Sequence, residues 1–240
     1  MDEIRVGIIS EGLPDQWLIQ KIIKTEFPDR TFIFTNISPT EDEIDANVKK
    51  EGFGWGGVYK VCKNLNEKLE ILQTTGLYFD ILVIHIDGDV MMLTYESTRI
   101  TKEAEDAELP CYSDDATITD NCNCLRKVVE SWCRNKEQQE VYCIPYINSD
   151  VWVAYVLYEK HRTFITQELT KEALVHFLLR RTKREGKLIR MHDGEIKKVN
   201  GTYRTAADAI TTDLIQEMKA KFSQMHLFCD DLSRVLYSPE

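Results

Sequence analysis

Three acids stand where a single cation could gather them. Glu11 follows the apolar run Ile4-Arg5-Val6-Gly7-Ile8-Ile9 after Ser10, and Asp87-Gly88-Asp89 directly follows the apolar run Ile81-Leu82-Val83-Ile84-His85-Ile86. Two aspartates separated by one residue can approach the same ion, while the intervening glycine removes a side chain and permits a tight turn. Mg²⁺ or Mn²⁺ suits such a set, because these ions prefer oxygen ligands and keep waters that phosphate oxygens can replace. Without a cation, three neighbouring carboxylates repel one another and at least one is forced to hold a proton. With one, a phosphate can be oriented and a water activated for in-line attack. The structural alternative is that Glu11 is a helix N-terminal acid and Asp87 and Asp89 are turn residues. Either motif alone favours that alternative; the two in this order favour function.

The elements that would position these acids read as strands separated by helices. After Ser10-Glu11-Gly12 comes an amphipathic helix with Trp17, Leu18, Ile22 and Ile23 on its apolar face, then a strand over 31–35. A helix is expected over 58–75, and the unbroken apolar run at 80–86 is the pattern of a central strand covered on both faces. A helix over 123–136, a strand over 140–145 and a helix over 151–158, opened by Asn148-Ser149-Asp150 as its cap, complete the alternation. This order implies an α/β fold with a mostly parallel sheet and helices on both faces, and the C-terminal strand ends are then the favoured place for a site. Residues 1–160 form the expected core. Residues 161–240 form a C-terminal helical lobe with a basic hairpin over 188–199, turned at Asp193-Gly194, before a helix over 206–223.

Charge and cysteine content narrow the setting. The net charge of −10 argues against indiscriminate nucleic-acid binding, yet residues 180–204 hold nine Lys or Arg against three acids. Arg180, Arg181, Lys183 and Arg184 in that segment are candidate phosphate contacts; the bland alternative is a solvated basic face. Seven cysteines, an odd number in a chain with neither a signal-like start nor a long uncharged apolar run, point to reduced thiols, a cytoplasmic setting and no membrane span. Cys122 and Cys124, with Cys133 and Cys143, lack the second paired knuckle of a structural zinc site.

Other residues have two readings each. Gly52-Phe53-Gly54-Trp55-Gly56-Gly57 before a helix could cradle an anion or serve as a connector, and Lys60 and Lys63 just beyond could reach phosphate or be solvated. His85, inside the buried run, reads first as a hydrogen-bonded core histidine and second as a catalytic one.

Ile8-Ile9-Ser10-Glu11-Gly12-Leu13-Pro14-Asp15, followed by Ile84-His85-Ile86-Asp87-Gly88-Asp89, resembles the TOPRIM domain shared by topoisomerases, bacterial primases, RNase M5-like maturases and OLD-family nucleases. The resemblance covers about residues 4–160. It implies that Glu11 is a metal ligand or general acid/base and that Asp87 and Asp89 hold Mg²⁺ or Mn²⁺. Asp150, beside Trp152, takes the place where small relatives often have an acid, as a metal ligand or simply a helix cap. The chain lacks the further domains of a topoisomerase or primase and a Walker motif, so a small stand-alone nuclease acting on DNA or structured RNA such as tRNA is the implied subtype. Such proteins serve as effectors in bacterial anti-phage defence with a separate ATPase as sensor. A homodimer is expected on base rates.

Two alternatives stay open. Asp87-Gly88-Asp89-Val90 also resembles the nucleophile motif of haloacid dehalogenase-like phosphatases, with Asp87 phosphorylated, Asp89 as acid/base and Asp230-Asp231 as a late acidic pair. The other is a non-catalytic TOPRIM-fold partner subunit that docks through residues 101–120, which carry seven acids and one lysine.

Overall fold

The computed structural model describes residues 3–40, 53–133 and 139–237. Its centre is a four-stranded parallel sheet of β1 (Glu3–Ile9), β2 (Thr31–Ser38), β3 (Ile81–His85) and β4 (Gln139–Cys143), in the order β2-β1-β3-β4. All five residues of β3 are buried. That follows from its place between two strands with helices over both faces, which leaves no polar side for alternation to serve.

Helix α1 (Leu13–Glu26) joins β1 to β2, while α2 (Trp55–Lys63) and α3 (Leu65–Thr74) lie between β2 and β3. Helix α4 (Ile118–Trp132) joins β3 to β4. On one face, Val6, Ile8, Val83 and Val141 pack with Leu18, Ile19 and Ile22 of α1. On the other, Ile9, Leu82, Ile84 and Tyr142 pack with Val58 of α2 and with Leu125 and Val129 of α4. From β1 the chain returns to the β2 side and from β3 to the β4 side, so the sheet reverses direction between β1 and β3. The crevice beyond the carboxyl ends of those two strands is where such sheets bind ligands.

The C-terminal half adds α5 (Asp150–Leu157), α6 (Lys171–Leu179), the antiparallel hairpin of β5 (Ile189–His192) and β6 (Glu195–Lys198), α7 (Asn200–Asp208), α8 (Thr212–Lys221) and α9 (Ser223–Tyr237). Tyr203, Ile215, Met218, Phe228 and Leu232 from these helices share the core of Val6 and Ile8. The hairpin turns at Asp193 and Gly194, both with positive φ (51° and 78°), the conformation that an Asp-Gly turn supplies.

Two expected helices prove to be pairs. The helix expected over 58–75 begins earlier, at Trp55, and breaks at Asn64, whose amide side chain turns back to the Lys60 carbonyl. The helix expected over 206–223 is α7 and α8, because the Thr211 side chain accepts from the Leu214 amide and caps a new helix there. Helix α4 starts at Ile118, capped by Thr117 through the Asp120 amide, rather than at 123. Its expected end at 136 lies outside the described residues, as does Gly52.

Candidate metal centre

The loops after β1 and β3 are held together by backbone geometry before any side chain acts. The Gly88 amide donates to the Pro145 carbonyl at 2.9 Å and the Asp89 amide to the Ile147 carbonyl at 2.8 Å, so the Asp87-Gly88-Asp89 turn runs alongside the loop that follows β4. A Cβ at position 88 would stand 1.8 Å from the Tyr146 carbonyl oxygen, a contact no side chain can make; glycine is required there by close backbone approach. Across the crevice, the Asp87 amide donates to Glu11 Oε1 at 2.7 Å. The Gly54 amide donates to the Glu11 carbonyl at 3.0 Å, which brings the glycine-rich segment to the same place. Gly54, at φ 69°, lies in the left-handed region that favours glycine.

Around Asp87 the acids converge. Its Oδ1 accepts from the Ser149 amide at 2.9 Å and lies 3.6 Å from His85 Nε2. Ser149 Oγ donates to Asp15 Oδ1 at 2.5 Å. Ser149, expected to help cap α5, makes no side-chain cap and instead ties two acids together. Asp15, His85 and Asp87 each offer one donor atom within 4.8 Å of the others, a group that could hold a metal ion. Above them opens a cleft of about 510 Å³ lined by Glu11, Asp15, Gly54, Asp87, Lys197 and Lys198, among others.

The electrostatics are those of an acidic cluster short of cations. Burial, with Asp15 and Asp89 adding to it, pushes Glu11 up to about 8 despite the hydrogen bond from the Asp87 amide. Asp87 is pushed well above the carboxylate range by burial first and then by Glu11 and Asp15. Asp15 goes the other way: burial opposes ionisation, but Lys198, His85 and the Ser149 hydroxyl together bring it below the usual range. Burial also lowers His85, against Asp15 and Asp150, which raise it.

The remaining residues singled out by sequence are dispersed. Asp89 accepts from Lys171 Nζ at 2.5 Å. Asp150 is held by Tyr203 Oη at 2.8 Å and Lys198 Nζ at 2.9 Å. Lys60 is exposed on α2, whereas Lys63 turns inward, with its ammonium 2.7 Å from Asp106 and 2.9 Å from Glu103. Arg180, Lys183 and Arg184 are exposed; Arg181 contacts His161 and Glu185 and lies over the Phe177 ring. It is Lys197 and Lys198 of the same basic segment that line the acidic cleft. Asp230 pairs with His226, and Asp231 with Arg126 and Arg234, so neither pair partner is a cleft residue. All seven cysteines are free thiols.

Sequence reading passed over Asp15, Ser149, Lys171, Lys198 and Tyr203 as site residues. Asp15 alone carried a signal, an acid four residues after Glu11 in the first turn of α1, where both can face one crevice. The others come from loops or from the C-terminal half, and chain spacing says nothing of them.

Fold and cleft together define a mixed α/β scaffold with a candidate divalent-metal site. Set against models of protein families, curated proteins and solved structures, the chain matches none of them. Among the described residues no helix is long and apolar enough to cross a membrane.

Proposed function

We propose that this protein is a metal-dependent nuclease of the TOPRIM type, cleaving phosphodiesters in DNA or structured RNA. The observation that carries the reading is the meeting of Glu11 and Asp87 at the crevice between β1 and β3, joined by the 2.7 Å bond from the Asp87 amide, under a cleft that Lys197 and Lys198 line. With a cation over the acids, anionic backbone would be drawn to the ion and to Lys197 and Lys198, which otherwise pair with Glu195 and Asp150.

The donor chemistry fits a divalent cation: carboxylates that burial forces to hold protons would release them to such an ion. Glu11, Asp87 and Asp89 are its proposed ligands, with Asp150 as a further one, and Mg²⁺ or Mn²⁺ as the cofactor. The ion supplies positive charge for phosphate oxygens and acidifies water. Glu11, held at about 8 without a cation, would give up its proton in favour of a bound ion near neutrality, which suits the ligand role; the resemblance also allows it the role of general acid/base. In this reading residues 1–160 carry the chemistry, and the 161–240 lobe contributes Lys171 and Lys198 to the acids and exposed Arg180, Lys183 and Arg184 for more distant backbone. The role of an anti-phage effector with an ATPase sensor, and a homodimeric state, belong to the same proposal and rest on the resemblance.

Purified protein incubated with plasmid DNA and total RNA tests this. Cleavage is expected with Mg²⁺ or Mn²⁺, to be abolished by a chelator and reduced at least about a hundredfold in Asp87→Asn, more than loss of an outer-sphere partner costs. Undiminished cleavage by that variant would rule the assignment out.

A further inference from the structure

His85 has no evident place in a purely oxygen-ligated centre, and its surroundings explain it poorly as a core residue. It is 1% exposed. Neither Nδ1 nor Nε2 has a hydrogen-bond partner among the described residues. Buried polar side chains nearly always have at least one partner, and an imidazole offers one donor and one acceptor to satisfy. The nearest carboxylate oxygen, Asp87 Oδ1, is 3.6 Å from Nε2, beyond hydrogen-bond range.

That spacing fits a shared ion better than a shared proton. Two ligands bonded to one cation at about 2.1 Å stand roughly 3 Å apart when adjacent and roughly 4.2 Å apart when opposite. The distance of 3.6 Å lies between; the 4.8 Å within which the donor atoms of Asp15, His85 and Asp87 fall is wider than that span, so a bound ion would draw them slightly inward. Asp15 is held in place by the Ser149 hydroxyl and Asp87 by the Ser149 amide, the outer-sphere support that metal ligands usually have.

We infer that His85 is a metal ligand, and that with Asp15 and Asp87 it forms a nitrogen–oxygen site selecting Mn²⁺ or another first-row transition cation over Mg²⁺. Mg²⁺ strongly favours oxygen donors, whereas imidazole nitrogen adds affinity for first-row transition ions. The inference rests on the proposed metal-dependent reading and adds Asp15 and the nitrogen of His85 to a ligand set that shares Asp87.

Mn²⁺ titrated into the purified full-length protein decides it. Pulsed electron paramagnetic resonance of the bound ion should show imidazole ¹⁴N coupling, which ¹⁵N-histidine labelling converts to the ¹⁵N pattern. Calorimetric competition should show Mn²⁺ binding at least about tenfold more tightly than Mg²⁺, a preference that collapses in His85→Leu along with the nitrogen signal. Bound Mn²⁺ without nitrogen coupling in the unsubstituted protein overturns the inference whatever the variant does, and metal-dependent cleavage in the same preparation would leave the nuclease reading standing. Nitrogen coupling in a protein that cleaves no nucleic acid would have the opposite meaning: the site is upheld and the nuclease reading falls.

Discussion

Two buried polar clusters, one beside α2 and one at the carboxyl ends of β1 and β3, are built to opposite rules. On the face of α2 and α4, Asp106 accepts from Lys63 Nζ at 2.7 Å, from Tyr59 Oη at 2.8 Å and from the Glu103 amide at 2.9 Å. Burial would raise this carboxylate, but those three donors bring it below the usual range. At the strand ends, Glu11 and Asp87 are pushed up, and both nitrogens of His85 stand without hydrogen-bond partners among the described residues. A satisfied cluster explains itself by the stability of the fold. An unsatisfied one, kept at the carboxyl ends of β1 and β3, points to a ligand outside the chain.

Substitutions can break this contrast. The largest effect of a single substitution at fixed pH is expected at the satisfied cluster: Asp106→Ala leaves the inward-turned Lys63 without its nearest acid and should cost about 3 kcal/mol or more in urea unfolding, with metal affinity unchanged. His85→Leu should act in the other direction. Replacing unsatisfied nitrogens by an apolar side chain of similar size should stabilise the metal-free protein by about 1–3 kcal/mol while weakening Mn²⁺ binding. A loss of stability would mean that His85 is an ordinary core residue.

A third effect is spread over pH and is read as a slope. Glu11 in the folded protein holds a proton up to about 8, against an ordinary value of 4.5. Between those values the folded state binds more protons than the unfolded one, so the stability due to this group is full below about 4.5 and is lost as pH rises through about 8. The Tm of the metal-free protein should therefore fall from about pH 5 to about pH 8, less steeply in Glu11→Gln, and Mn²⁺ should flatten it by favouring the ionised carboxylate. An identical slope in Glu11→Gln would place the titrating group elsewhere.

The contrast also shows where sequence reading succeeds. Lys63 and the acids of 101–120 looked like surface charge, suited to phosphate contact or docking; the fold turns Lys63 and Asp106 inward on each other. No local pattern distinguishes a lysine that meets solvent from one that meets an acid 43 residues away. His85 was legible as buried, because the apolar run around it marks a central strand. That its nitrogens have no partner depends on what α1 and the loop after β4 bring over it.

The sequence by itself determined the parallel α/β alternation, the Asp193-Gly194 hairpin and the placing of Glu11 and Asp87 at strand ends, because periodicity, turn chemistry and strand-to-loop boundaries are encoded within a few neighbouring residues. Only the tertiary structure decided the membership of the centre. Asp15 and Ser149 meet through a bond spanning 134 residues, Lys171 reaches Asp89 across 82, and Lys198 and Tyr203 converge on Asp150. Those meetings follow from strand order and from C-terminal helices packing onto the sheet, which bring together residues that no local pattern relates.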